Sequence, residues 1–424
     1  QIAMKTLLRI TGICMVAMLM LNVTPAMGQS DDASFYTFKG TLKDARSNQN
    51  LIFASVAVPG THVGTVTNSD GDFTLKVQKS LNADRIEFSY LGYINKQIEL
   101  ETLKPEGNVI KLDPASIPID EVTIRPHDPR KIVIEALAKV PYNYSDKPNM
   151  LTGFYRETIR QRRNYISISE AVIDIYKASY RVKTDNDRLK LYKGRKSANV
   201  RRADTLAVKL QGGPNVSLLL DVAKHPDLLM FEDDLDHYNF ELEDMVMVAG
   251  NINYVISFEQ KPHIITPLYY GKMYIDTKNL AFTMLQFSLN LENEEEASRM
   301  FVKRKPFGVR ITPTATSYLV TYKEIDGVYY YNYARNELVF NCNWRRRIFN
   351  SNYTVTAELA ITDRNLEQAQ RIPLREVFKP TDILADGVET FNDVDFWGEH
   401  NYIEPDESIE SAIRRYGRRL FRRQ

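Results

Sequence analysis

The sequence predicts a mainly β protein: a small N-terminal β-sandwich followed by a large antiparallel meander or half-barrel with a few helices. Three observations carry this. The chain holds 24 Tyr and 19 Phe, and aromatic side chains favour strands. Between Phe35 and Leu112, about seven short alternating runs follow one another at the spacing of a sandwich, separated by turn residues. From Thr152 onward the runs lengthen and pair across short polar turns, hairpin after hairpin, as in one large sheet.

At 424 residues the chain has room for two or three domains of roughly 100–200 residues. Hydrophobic residues at 43% and charged residues at 26% are ordinary for a globular protein. Lys and Arg number 55 against 54 for Asp and Glu, so the net charge of +1 points to no polyanionic partner. Arg345-Arg346-Arg347 lies beside Trp344, but an exported chain of near-zero charge is a poor nucleic-acid binder.

Residues 1–28 read as a secretory signal peptide with extra residues upstream of its start. Gln1-Ile2-Ala3 precede Met4, and Lys5 and Arg9 form a basic start. An apolar run follows from Ile10 to Val23, with Ala26 and Gly28 placed for a cut before Gln29. That run is shorter than the ~20 residues a spanning helix needs, and no later stretch approaches that length. No transmembrane helix is therefore expected in the mature chain. Cys14 falls inside the signal, leaving Cys342 alone, which can form neither an internal disulfide nor a Cys-based zinc site. The strand-like run Val339-Phe340-Asn341-Cys342-Asn343-Trp344 makes it a buried, inert thiol.

In the sandwich region (35–113) the first strand runs from Phe35 to Leu42 and the second from Phe53 to Val58, stopped by Pro59-Gly60. Gly64 to Leu75 reads as a hairpin around Asn68-Ser69-Asp70-Gly71, with Val66 and Phe73 facing in. Arg85 to Tyr93, with Gly92 marking a bulge or corner, Ile94 to Leu100 and Asn108 to Leu112 complete the set. Gly64 to Leu75 and Phe88-Ser89-Tyr90-Leu91-Gly92-Tyr93 together resemble the carboxypeptidase-regulatory-like domain family over residues 36–113. That family is a small β-sandwich common in envelope proteins of Bacteroidetes-type bacteria, and Pro118-Ile119-Asp120-Glu121-Val122-Thr123-Ile124 is similar to the segment that follows it. The resemblance implies a module appended to zinc carboxypeptidases, not the peptidase. Among His62, His127, His225, His237, His263 and His400, none has Glu three places on and none has a second His within four. The His and Glu that such a metal requires are therefore missing.

Residues 114–128 form the linker, and 129–424 the second, β-rich domain. Asp128 and Pro129 open a helix as N-cap and first residue. Ile132, Val133, Ala136, Leu137 and Val140 form its apolar stripe, and Pro141 ends it. Gly153-Phe154-Tyr155-Arg156-Glu157-Thr158 and Tyr165 to Tyr176 read as two long paired strands, 181–204 as a solvated loop or edge, and Val216 to Val222 as a short helix. The strands then expected are Asn239–Val248 with Ile252–Phe258, Leu268–Ile275 with Phe282–Leu291, Tyr318–Glu324 with Val328–Ala334, and Leu338–Phe349 with Tyr353–Thr362. Gly271 to Asp276 with Phe282 to Leu289 looks similar to a strand pair of lipoprotein-carrier folds, whose half-open barrel holds acyl chains. Beyond Trp397-Gly398, the chain ends in a helix starting at Glu404-Pro405-Asp406, with Ile409, Ala412, Ile413, Tyr416 and Leu420 on one face. Arg414, Arg415, Arg418, Arg419, Arg422 and Arg423 make it basic, either as a solvated face or as a contact to anionic headgroups.

Candidate chemistry is sparse. Asn68, Asp70 and Asp72 have the alternate-oxygen spacing of a calcium loop, but Phe73 and Lys79 stand where an EF-hand needs Gly and Glu, so a plain turn is expected. Glu232-Asp233-Asp234-Leu235-Asp236-His237 reads as a solvated loop rather than a cation site. Glu157, Glu170 and Asp174 make an acid/base pair only if the strands bring two of them together. No nucleophile elbow, P-loop or dinucleotide fingerprint occurs. No catalytic, cofactor-binding or metal residue is therefore assigned and no cofactor is expected. The function expected is a non-catalytic binding or scaffolding protein on the periplasmic side of the outer membrane, with envelope proteins or lipids as partners. The alternative is a carrier of lipid or another apolar ligand in a half-open barrel, favoured by a continuous apolar cavity in the large sheet. A hydrolase built on strand carboxylates is a third class.

Overall fold

The computed structural model describes residues 34–116, 128–182, 185–198, 212–229, 232–301, 308–345, 350–365, 369–390, 396–406 and 409. The signal segment, the exit segment at Pro118–Ile124, His127, Arg346-Arg347 and the arginine-rich end lie outside them.

Seven strands make the N-terminal sandwich: β1 (Phe35–Asp44), β2 (Ser55–Ala57), β3 (Gly64–Val66), β4 (Asp72–Gln78), β5 (Arg85–Ser89), β6 (Lys96–Glu99) and β7 (Asn108–Leu112). They form a three-stranded sheet in the order β4-β1-β7 and a four-stranded sheet in the order β3-β2-β5-β6. Every second side chain faces the other sheet, so Phe38, Leu42, Val56, Phe73, Leu75 and Phe88 close one core.

The hairpin expected at Gly64–Leu75 is not formed. β3 pairs with β2 and β4 with β1, so the turn between them carries the chain from one sheet to the other. Asn68 Oδ1 accepts the N–H groups of Asp70 (2.8 Å) and Asp72 (2.9 Å), and Gly71 takes a φ of +77° with Asn50 packed where a Cβ would sit. Phe73 faces the sandwich core, whereas Val66 leaves it and is buried beside Phe154, Val172 and Tyr333 of the second sheet.

That second sheet has eleven strands. They are β8 (Asn149–Gln161), β9 (Asn164–Lys177), β10 (Arg188–Ala198), β11 (Tyr238–Val248), β12 (Asn251–Gln260), β13 (Tyr269–Asp276), β14 (Phe282–Leu289), β15 (Val309–Ile325), β16 (Val328–Trp344), β17 (Ser351–Asn365) and β18 (Glu389–Thr390). The order is β11-β12-β13-β14-β15-β16-β17-β8-β9-β10-β18, open at both ends, and only the short β10–β18 pair is parallel. β11 to β17 is thus the expected meander, and β8 adds to its far side through pairing between residues such as Thr158 and Thr356.

Four corrections follow. Val328–Ala334 and Leu338–Phe349 are not separate strands: β16 runs unbroken through Arg335-Asn336-Glu337, whose charges face a polar cleft rather than a turn. Residues 181–204 contain a full strand, β10, because alternating Leu189 and Leu191 pack into the core while Lys190 and Lys193 find partners in Asp174 and the Phe396 carbonyl. A helix not expected, α3 (Glu294–Phe301), precedes β15, which begins at Val309 rather than Tyr318. Helix α1 (Pro129–Asn143) passes through Pro141, since a proline in the last turn removes only one hydrogen bond. Its N-cap is as expected, with Asp128 accepting from Arg130 N–H at 3.0 Å. The short helix α2 (Pro214–Leu219) and a last one, α4 (Leu384–Gly387), complete the set. Among the described residues no helix is long and apolar enough to cross a membrane.

Candidate functional site

The large sheet has two differently furnished faces. On one, α1 lays Ile132, Val133, Ala136 and Val140 against Tyr155, Ile173, Ile175 and Leu359. This face is filled by tyrosines whose hydroxyls are used internally. Tyr144 donates to Phe282 O (2.7 Å) and Tyr331 to Ser217 O (2.5 Å). Tyr180 and Tyr322 both donate to Asp221 (2.7 and 2.9 Å). Asp221 also meets Lys177 at 2.6 Å, and Lys177 meets Asp187 at 2.5 Å. Burial works against the Lys177 charge, but the two aspartates outweigh it and hold the ammonium above its usual range. Glu157 is alone among these apolar neighbours; burial pushes its carboxyl up to about 8, against the small opposing effect of the Tyr155 hydroxyl at 3.2 Å.

The opposite face carries the sandwich, with the chain segment Phe396–Asp406 laid between them. Trp397 stands edge-on to Phe154 (5.2 Å between centroids) and beneath the Arg195 guanidinium at 4.7 Å. Glu170, fully buried, bridges Arg156 (2.7 Å) and Arg195 (2.9 Å). Burial opposes its charge, and the two arginines more than compensate, holding the carboxyl below its usual range. Arg156 also donates to Ile403 O at 2.6 Å, tying the segment to the sheet. On the sandwich side, Asn401 Oδ1 accepts from Lys76 N (2.7 Å) and its Nδ2 donates to Lys76 O (2.9 Å). Thr65 Oγ1 donates to Tyr402 O at 2.9 Å.

A second clasp lies at the β2–β3 loop. Lys323 Nζ donates to Thr61 O at 2.8 Å, and Arg364 Nη1 donates to His62 Nε2 at 3.0 Å. Arginine can only donate, so Nε2 is the acceptor nitrogen of a neutral ring. Tyr330 packs against His62 (4.6 Å) and under Arg364 (4.4 Å).

Between the clasps, two clefts of about 500 and 510 Å³ open where sandwich and sheet meet, sharing Arg335 and Glu337. Both volumes fall within the roughly 300–1,000 Å³ of small-molecule sites. Into the first project Ser69 and Asp70 of the sandwich turn, Arg160 and Glu358 of the sheet, and Asp406. The second is walled by Phe53 and Tyr90 of the sandwich and by Gln286, Ser288 and Ser317 of the sheet. The Arg335 guanidinium lies over the Phe53 ring at 4.9 Å.

The residues singled out in the sequence do not converge on this site. Glu157 is on the helix-covered face and Glu170 on the other, since consecutive positions of a strand alternate. Asp174 shares a face with Glu170, four residues along, and faces Lys190 at 3.6 Å. Asn68 and Asp72 commit their side-chain oxygens to the turn and to Thr41. Asp236 of the acidic run pairs with Arg130 at 2.5 Å. Cys342 is fully buried, and burial pushes its thiol up to about 11. Among the described residues no group of three or more His, Cys, Asp or Glu could hold a metal ion. Arg160, Arg335, Glu337 and Glu358 were missed. Their signal was the charge on alternate positions of strands that otherwise read as buried.

No curated protein matches the chain. Among solved structures, a LolA superfamily protein from Nitrosomonas europaea is similar over 58% of this chain and 97% of its own, at 8% identity and a TM-score of 0.20. A DUF1329 family protein from Desulfovibrio piger is similar over 55% of this chain and 94% of its own, at 11% identity and a TM-score of 0.23. Likeness at these scores transfers nothing to this chain. The family match is local and specific: residues 38–124 match the CarboxypepD_reg-like domain. The sandwich is a carboxypeptidase-regulatory-like domain, and this chain is a protein that carries one ahead of a large open β-sheet.

Proposed function

We propose that this chain is a non-catalytic binding or scaffolding protein of the bacterial envelope, working on the periplasmic side of the outer membrane. It divides into an export signal (1–28), the sandwich (35–113), a linker (114–128) and the β-rich domain (129–424). The observation that supports binding is the polar cleft between sandwich and sheet, built from side chains of both. The separation of Glu157 from Glu170 speaks against the hydrolase assembled from them. The tyrosine-filled face of the sheet speaks against an apolar ligand held there, because its hydroxyls and rings occupy the space an acyl chain would need. Native mass spectrometry of the mature protein from Gln29, extracted from its own envelope, tests this reading. A bound envelope protein or polar ligand supports it. A co-purifying lipid-sized mass replaces it with the carrier. Turnover of a substrate by the purified protein, abolished by one point mutation, ends it.

A further inference from the structure

The unmet hydrogen-bonding groups of the cleft define the ligand that would complete it. Arg160 Nε and Arg335 Nη1 are buried from solvent and find no acceptor among the described residues. Arg335 spends Nη2 on Glu337 Oε2 at 2.8 Å, which also takes the Thr356 hydroxyl at 3.3 Å. Glu358 gives Oε1 to the Tyr333 hydroxyl at 2.8 Å. Glu337 and Glu358 line the same cleft as Arg160 and Arg335, so its wall presents charged donors and charged acceptors together. Most buried donors in folded proteins are paired, and these two find no acceptor among the described residues.

Charge narrows the choice. Glu337 and Glu358 stand in the first cleft with Arg160 and Arg335, two charges of each sign on the sheet floor, so the floor selects neither an anion nor a cation. A bare cation would leave the guanidinium donors unmet. A polyhydroxyl ligand satisfies both, because each hydroxyl donates to a carboxylate while accepting from a guanidinium. The floor is the middle of the sheet, strands β8, β16 and β17, whose backbone groups are already paired, so an extended peptide has no strand edge to join here. Aromatic rings stand at both ends, Tyr165 in the first cleft and Tyr90 in the second, where Phe53 already carries the Arg335 guanidinium. The C–H faces of a sugar ring pack on such rings, and the shared Arg335–Glu337 pair joins the clefts into one run.

We propose that this cleft binds a neutral oligosaccharide, spanning from Tyr165 past Arg335 to Tyr90. This rests on the non-catalytic binding reading and names its ligand class. The test is calorimetric titration of the full mature chain with cello-, malto-, manno-, xylo- and chitohexaose. At least one is expected to bind with a Kd below about 1 mM. Arg160→Gln and Glu337→Gln, each with an unchanged melting temperature, should weaken it at least about tenfold, as expected for losing a charged hydrogen bond. No binding of any hexaose to the folded chain overturns the proposal, as does binding that neither substitution affects or preferential binding of an unstructured peptide library. Chain-length analysis of the incubated hexaose separates the two levels. A shortened sugar refutes the non-catalytic reading and keeps the site, whereas a bound envelope protein with no sugar keeps the scaffold and refutes the site.

Discussion

Acidification should loosen the grip of the sandwich on the large sheet through His62. The ring is wedged between β15, β16 and β17, facing Arg364, Tyr330 and Lys323, with Glu87 of the sandwich acting on Lys323. Burial first, then Arg364 and Lys323, drives its pKa from 6.5 down to about 3. A base whose pKa is lowered in the folded state favours that state fully above 6.5 and progressively less as pH falls from 6.5 towards 3. At pH 5 the linkage reaches about 2 kcal/mol at 1.36 kcal/mol per pH unit, and about 1 kcal/mol after discounting for the solvent the ring still touches. The assay is chemical unfolding of wild type and His62→Gln at steps from pH 8 to pH 4.5. Glutamine keeps an acceptor for Arg364 and carries no proton to gain. The wild type should lose about 1–2 kcal/mol more than the variant between pH 7 and pH 5, with the curves parallel above pH 7. Carboxylate titrations are common to both proteins and cancel in the difference. Parallel curves throughout would refute the assignment of His62 as an acid-sensitive contact.

Three further outcomes follow from the same structure. Glu157, raised by burial to about 8, folds protonated at neutral pH, so its contribution is full below 4.5 and is lost as pH rises towards 8. Glu157→Gln should therefore stabilise by up to about 3 kcal/mol at pH 7–8 and by nothing near pH 4, read from paired denaturant curves. A Cβ on Gly271 would run into the Gln286 carbonyl and Phe287, so Gly271→Ala should cost on the order of 2–4 kcal/mol and shift amide exchange in β13 and β14. Trp397→Ala removes the ring between Phe154 and Arg195 and should cost about 3–5 kcal/mol, with limited proteolysis then cutting first within Phe396–Asp406.

Much of the fold was legible because strands declare themselves locally. The Ala249-Gly250 and Asp326-Gly327 turns, each with positive φ at both residues, sit where the sequence placed hairpins. The Asn68–Gly71 turn shows where this fails. Its hydrogen bonds are all local and are satisfied whether the next strand doubles back or crosses to a second sheet. That choice depends on Val66, whose partners Phe154 and Tyr333 lie far along the chain. The break placed at Arg335-Asn336-Glu337 has the same origin. A polar triplet inside a strand looks like a turn until another element is known to cover it with a polar cleft. The site was invisible for that reason, since its members come from five separate stretches and none forms a motif with its own neighbours.

The pair of hydrogen bonds from Asn401 to Lys76 has a consequence for the sandwich as an independent piece. β4 is the outer strand of its sheet, and an outer strand offers its backbone groups to any other chain that can lie alongside. Here one side-chain amide imitates a single residue of a neighbouring strand and occupies both groups of Lys76. The segment that supplies it sits more than three hundred residues downstream, so the edge stays open until that segment has been made and docked. An excised sandwich would keep its core yet present that edge uncovered, open to pairing with another chain.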